Sequence, residues 1–138
     1  MIPTRGERKC NPGNLDRNTT QWQGMCADQS ADQRFVVFDT PEAGIRALAK
    51  VLLSYYHKHG LNTVQGIIDR WAPPGENDTG SYVNHVAGSL GVGKDAALNL
   101  DDQECLEALC KAIILHENGR VIYSDAIIAQ AVESAIGG

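Results

Sequence analysis

The sequence predicts a mostly α protein with a minor β element (an α+β class in which helix dominates), folded as one domain over residues 1–138. Three observations carry this. Beyond residue 40 the apolar residues recur at spacings of three and four, the period of a helix with one buried face. Those runs are bracketed by capping residues on one side and by Gly or Pro on the other. Only one short stretch, RFVVFD at 34–39, has the β-branched and aromatic make-up of a strand. A chain of 138 residues is long enough for one real core and short for two.

Residues 1–34 are polar, rich in Gly, Asn, Asp and Gln, and non-periodic, which predicts a long structured loop or a small β-hairpin. The first clear helix starts at TPEAG, with Thr40 as N-cap, Pro41 at the first helical position and Glu42 in the first turn. Ile45, Leu48, Ala49, Leu52, Leu53 and Tyr56 form its buried face, and Gly60 ends it. A second helix follows Asn62, carries Val64, Ile67, Ile68 and Trp71, and stops at Pro73-Pro74. A third starts near Asn77–Thr79 and carries Tyr82, Val83, Val86 and Leu90. A fourth spans about 101–118, with Asp101 and Glu104 as a variant capping box. Ser124 caps a fifth, with Ile127, Ile128, Ala131, Val132, Ala135 and Ile136 on one face.

A net charge of −5 argues against a nucleic-acid binder, which would present a basic face. No apolar run approaches the roughly 18 residues of a membrane span, and MIPTRGERK lacks the apolar stretch of a signal peptide. If the protein works outside the cytoplasm, something else is expected to carry it there. The four cysteines, 10, 26, 105 and 110, show no CxxC spacing. Cys105 and Cys110 lie about 500° apart around one helix, a poor geometry for a bridge. A disulfide from the N-terminal region to that helix and four free thiols both remain open. No metal ligand set is recognisable: HExxH is absent, and His57 and His59 lie about 200° apart on their helix. GSLGVGKD at 88–95 mimics a phosphate loop, but it ends in Asp95 rather than Ser or Thr and follows helix rather than strand. No cofactor is expected.

One residue breaks the pattern. In DDQECLEALCKAIILHENG the stripe Leu106, Leu109, Cys110, Ile113, Ile114 extends to Glu117, where an apolar residue is due. Glu117 is therefore expected to face inward, or into a cleft at the edge of the core. Burial and the negative end of the helix dipole both disfavour a carboxylate there. A carboxylic acid that keeps its proton near neutral pH is what a glycosidase uses as general acid. The plainer alternative is a helix terminus whose flexible Glu side chain bends out to solvent.

The segments RGERKCNPGNL, WQG, FVVFDTPEAGIRALAKVLLSYY, IIDRWAPPGENDTGSYV and HENG..YSD, in that order over about 5–128, resemble a family of small bacteriophage and prophage proteins. Its members are often labelled virion structural proteins, and some resemble peptidoglycan-degrading lysozyme relatives. The family's first motif resembles R-G-x-R-N-N-N-P-G-N-[IL]; here Lys9 and Cys10 replace two of its Asn residues. ILHENG is also similar to the helix end that carries the acid of lytic transglycosylases and flagellar-type glucosaminidases. In this chain that helix comes late, which a circularly permuted lysozyme-like domain with a small β-hairpin would explain. The resemblance implies a peptidoglycan glycosidase of lysozyme (muramidase) or lytic transglycosylase type. It would have bacterial peptidoglycan as substrate, other virion proteins as candidate partners, and a place in the phage virion or the host cytoplasm with delivery to the periplasm.

Glu117 would then protonate the glycosidic oxygen. Glu7, between Arg5 and Arg8, is the competing acid, although two arginines suit a base or stabilising carboxylate better. Its alternative is a loop salt bridge. Glu7 or Asp16 is the candidate second carboxylate, unless the substrate's own acetamido or hydroxyl group supplies the nucleophile. Asn11 and Asn14 of the NPGN turn would hold the loop or touch sugar, with holding preferred for both. Trp22, Trp71, Tyr82 and Tyr123 are candidate sugar-stacking side chains, although a core position is the commoner fate of any one aromatic. Asn77 and Thr79 join the substrate-binding set. Two other classes compete: a non-catalytic virion component that keeps the fold, and a Cys-dependent amidase with Cys10 or Cys26 as nucleophile and His85 or His116 as base.

Overall fold

The computed structural model describes residues 2–138. Among the described residues six helices follow one another: α1 (Arg5–Arg8), α2 (Pro41–His59), α3 (Val64–Trp71), α4 (Thr79–Leu90), α5 (Gln103–Asn118) and α6 (Asp125–Gly137). The caps explain the boundaries. Thr40, Thr63, Asp78, Asp102 and Ser124 each accept a hydrogen bond from a first-turn N–H, which satisfies a donor the helix leaves orphaned. Gly60, Gly91 and Gly119 close α2, α4 and α5 in the left-handed conformation. The cap of α5 is Asp102 and not Asp101, which pairs with His57 at 2.8 Å instead.

α2 is the central helix. It packs chiefly on α6 and also touches α3 and α5, while α4 lies on α5 and α3. Leu48 and Leu52 of α2 meet Ile67 of α3, Val86 of α4, Leu109 and Ile113 of α5 and Ile128 of α6 in one apolar core, all closed to solvent or nearly so. No helix among the described residues is long and apolar enough to cross a membrane.

Of the two readings of the region before α2, a structured loop and a small hairpin, the loop is what forms, with a short helix added. Arg5–Arg8 is a short helix, closed by a capping box in which Thr4 and Glu7 bond each other's backbone N–H. The expected hairpin is not formed: among the described residues RFVVFD makes only two isolated antiparallel bridges, Asp16 with Phe35 and Met25 with Phe38. Main chain and side chains share its backbone groups: the Arg34 and Val37 carbonyls accept from the Arg17 and Cys26 N–H, and the Val36, Phe38 and Asp39 N–H groups donate to the Leu15, Lys9 and Gly24 carbonyls. Gln29 brackets Val37, accepting from its N–H and donating to its carbonyl, both at 2.8 Å. Asp32 accepts from the N–H groups of Arg34 and Phe35, and Asn11 donates to the Val36 carbonyl. With its polar groups met one by one, the segment stays extended against several short stretches rather than one continuous partner strand. It buries Leu15, Val36 and Phe38 against Ala47 of α2 as a second, smaller apolar cluster.

This loop crosses α2 at Gly44. A Cβ there would collide with the backbone carbonyl of Cys10, so only glycine lets the two main chains approach so closely.

Candidate functional site

α5 ends in the sequence His116-Glu117-Asn118, and each of the three side chains has a separate task. Asn118 docks the N-terminal loop. Its amide donates to the Pro12 carbonyl at 2.8 Å, and its carbonyl oxygen accepts from Thr4 Oγ1 at 2.6 Å. That brings the NPGN turn against the helix end. Asn11, 0% exposed, folds the turn internally: it accepts from Leu15 N–H and donates to the Leu15 and Val36 carbonyls. Asn14 adopts φ 53°, a left-handed conformation that Asn tolerates better than most residues. From there its Nδ2 donates to Glu117 Oε1 at 2.8 Å. Its Oδ1 is buried against Gly6 with no hydrogen-bond partner among the described residues. A left-handed backbone and an unmet acceptor together are a local cost, of the kind that collects at functional sites.

The other carboxyl oxygen is held from α4. Tyr82 O–H donates to Glu117 Oε2 at 2.8 Å, and Trp71 Nε1 donates to the Tyr82 oxygen at 3.0 Å. Tyr82 is 3% exposed. Burial first, and then the neighbouring Glu117, push its phenol far above the ordinary range, so it is always the donor. Glu117 therefore has a fixed orientation, while each oxygen keeps a further lone-pair direction.

Glu117 is half-buried and lines two adjoining depressions. One, of about 860 Å³, is walled by Trp22, Phe35, Tyr55 and Trp71 together with Asn14, Asp16, Asn18, Glu76 and Asn77. The other, of about 320 Å³, lies between α4 and α5 and is lined by Asn77, Asp78, Ser81, Tyr82 and His116. Glu117 and Asn77 belong to both.

The remaining sequence candidates fall on either side of this site. Trp22 and Asn77 line the cleft. Asp16 does too, with its carboxylate paired to Arg34 at 2.8 Å. Asn11, 0% exposed, holds the turn, the preferred of its two readings, and Tyr82, 3% exposed, reaches the smaller depression only at its edge while its hydroxyl supports Glu117. Thr79, 7% exposed, donates to the Ala72 carbonyl and ties the end of α3 to the start of α4. Tyr123 packs on the main core with its hydroxyl buried, and burial pushes it up to about 12.

Glu7 does not line the cleft. Its side chain, 2% exposed, accepts two hydrogen bonds from Arg120 and one from Thr4 N–H, and Arg120 holds it below the usual carboxylate range. That is a structural ion pair. All four cysteines are free, and Cys26 Sγ donates to Asp39, which pushes the thiol up to about 11. Burial raises Cys10 as well. His85 and His116 bond each other rather than a thiol. Among the described residues no group of three or more His, Cys, Asp and Glu is placed to hold a metal ion.

No family model matches the chain. Over 133 residues it is 41% identical to protein P5 of Pseudoalteromonas phage PM2, a match that covers 90% of this chain and 81% of that protein. The chain belongs to the protein P5 family. In this P5-family chain Glu117 is held from the NPGN turn by Asn14 and from the first turn of α4 by Tyr82, which Trp71 at the end of α3 supports. Sequence reading marked Asn14 and Tyr82 but missed their bond to Glu117. It also missed Asn118 as the loop's anchor and the closeness of His85 to His116. Thr4-x-x-Glu7 is a capping-box signature and was the one overlooked signal that would have located α1.

Proposed function

We propose that the chain is a peptidoglycan-cleaving glycosidase, of lysozyme or lytic transglycosylase type, built as a single lysozyme-like domain with Glu117 as general acid. The observation that carries this reading is the position of one carboxyl group, fixed by Asn14 and Tyr82, where two depressions adjoin. A polymer lying along both would pass its scissile bond over that group. The wall mixes aromatic faces, suited to the apolar faces of sugar rings, with Asn and carboxylate groups suited to hydroxyl and acetamido groups. A phage relative fits a bacterial-wall substrate, since phage propagation requires passage through the wall. Glu7 is assigned to the fold, and Asp16 and Glu76 are the carboxylates that share the cleft with Glu117. The amidase alternative is disfavoured by the high-lying thiols.

The test is digestion of purified peptidoglycan by the wild type and by Glu117→Gln, with mass spectrometry of the soluble fragments. The expected products are glycan fragments. Reducing ends would mark a hydrolase, and 1,6-anhydro ends, lighter by one water, a transglycosylase. Glu117→Gln is expected to lower the rate at least about a hundredfold, because it removes the proton and keeps the shape, while its amide NH2 group faces one of the two donors and lowers the melting temperature only modestly. Free stem peptides, or full activity in Glu117→Gln, would overturn the assignment.

A further inference from the structure

Two histidines that the proposed chemistry does not use face each other across α4 and α5. His85 and His116 bring their Nδ1 atoms to 2.8 Å. At that separation one nitrogen carries a hydrogen and the other accepts it. Two neutral rings satisfy this, and so does a pair with one extra proton. A second extra proton leaves two donors and two cations face to face, and the bond fails.

His116 also lies flat on Tyr82, with ring centroids 3.7 Å apart and planes at 25°. Tyr82 is the residue that donates to Glu117. His85 thus touches His116, His116 covers Tyr82, and Tyr82 holds the carboxyl.

We propose that His85 and His116 are positioning residues for Glu117, a hydrogen-sharing clamp that presses Tyr82 into place and releases it when the pair takes its second proton. This rests on the reading of Glu117 as the acid. The charged groups around His116 are His85 and Asp78 from the α4 side and Glu117 on α5 itself. Burial and His85 oppose a charge on His116, Asp78 and the ionised form of Glu117 favour it, and the balance lies below the ordinary histidine value. The clamp therefore stays closed at neutral pH and opens on acidification.

The test uses NMR and wall lysis together on the wild type, His85→Asn and His85→Phe. Asparagine places an oxygen near the Nδ1 position and can accept from His116 Nδ1–H in either charge state. Phenylalanine accepts nothing. In the wild type, acidification is expected to shift the Tyr82 ring signals and the Trp71 indole N–H at the pH where the lysis rate falls. In His85→Asn both changes should weaken together, so that the ratio of neutral to acid rate drops several-fold. His85→Phe should lower kcat about tenfold with a smaller change in KM, as expected when a catalytic group loses its orientation. Tyr82 and Trp71 signals that ignore pH in the wild type, or match the wild type in His85→Phe, would overturn the clamp. If the wild type lyses no wall, the glycosidase reading fails, and the NMR signals alone still decide whether the clamp exists.

Discussion

The segment before α2 and the helical body from α2 to α6 are held together by different forces. In the body, Leu52, Ile67, Leu109 and Ile113 reach 0% exposure, and the helices supply their own backbone bonds. In the segment the apolar cluster is small, and order comes from scattered main-chain bonds together with side chains that bond backbone: Asn11 to 15 and 36, Gln29 to 37, Asp32 to 34 and 35. Apolar burial scales with area and tolerates small shifts, whereas a buried polar staple works only at one geometry. The candidate site sits on the seam. Its carboxyl belongs to the body, and one of its two holders, Asn14, belongs to the segment.

The largest expected effect breaks the body alone. Leu109→Ala opens a cavity in the main core and should cost about 3–5 kcal/mol in denaturant unfolding. Lysis per folded molecule should hardly change, since Leu109 lines neither depression and lies eight residues before Glu117 on α5. A loss of activity beyond the loss of folded protein would mean that body and site are not separable.

Asn11→Ala strikes the segment instead. It strands the N–H of Leu15 and the carbonyls of Leu15 and Val36, which should cost about 2–3 kcal/mol. Here lysis should fall more than stability, because the turn that carries Asn14 loses its frame. Equal losses would show that the turn keeps its shape without Asn11.

The smallest effect sharpens the comparison through pH. Arg5 first, and then the Phe35 N–H, hold the Asp32 carboxyl well below the usual carboxylate range. Since the folded value is depressed, this stabilisation is complete above the unfolded value of about 3.9 and is lost as pH falls through the folded one. Acid should therefore loosen the segment before the body. Trp22 fluorescence should report the loosening below about pH 4 while helical circular dichroism persists. Asp32→Asn should be less stable than wild type at neutral pH and nearly equal to it in strong acid. A constant difference across that range would remove Asp32 from the account.

Much of the fold was legible in the sequence, for local reasons. The helices of the body follow from apolar period and from caps, and Thr40, Gly60 and Ser124 act at the positions expected of them. The sequence placed the cap of α5 at Asp101; the structure has it one residue on, at Asp102, while Asp101 pairs with His57 of α2. RFVVFD shows the other limit. Its composition is that of a strand, but a strand needs one continuous partner, and its backbone is shared among residues 9, 15–17 and 24–26 and the side chains of Asn11, Gln29 and Asp32.

By itself the sequence determined that Glu117 interrupts an apolar stripe at a helix end, because helical period is a property of neighbours along the chain. Only the tertiary structure decided what that carboxyl meets. Asn14 lies 103 residues before it and Tyr82 lies 35 before it, and nothing local links them. The same holds for Glu7. In sequence it stood between Arg5 and Arg8, yet the fold pairs it with Arg120, 113 residues away, and gives Arg5 to Asp32. Ion pairs and hydrogen bonds act between groups close in space, and a chain that folds back on itself sets those distances through packing rather than through sequence order.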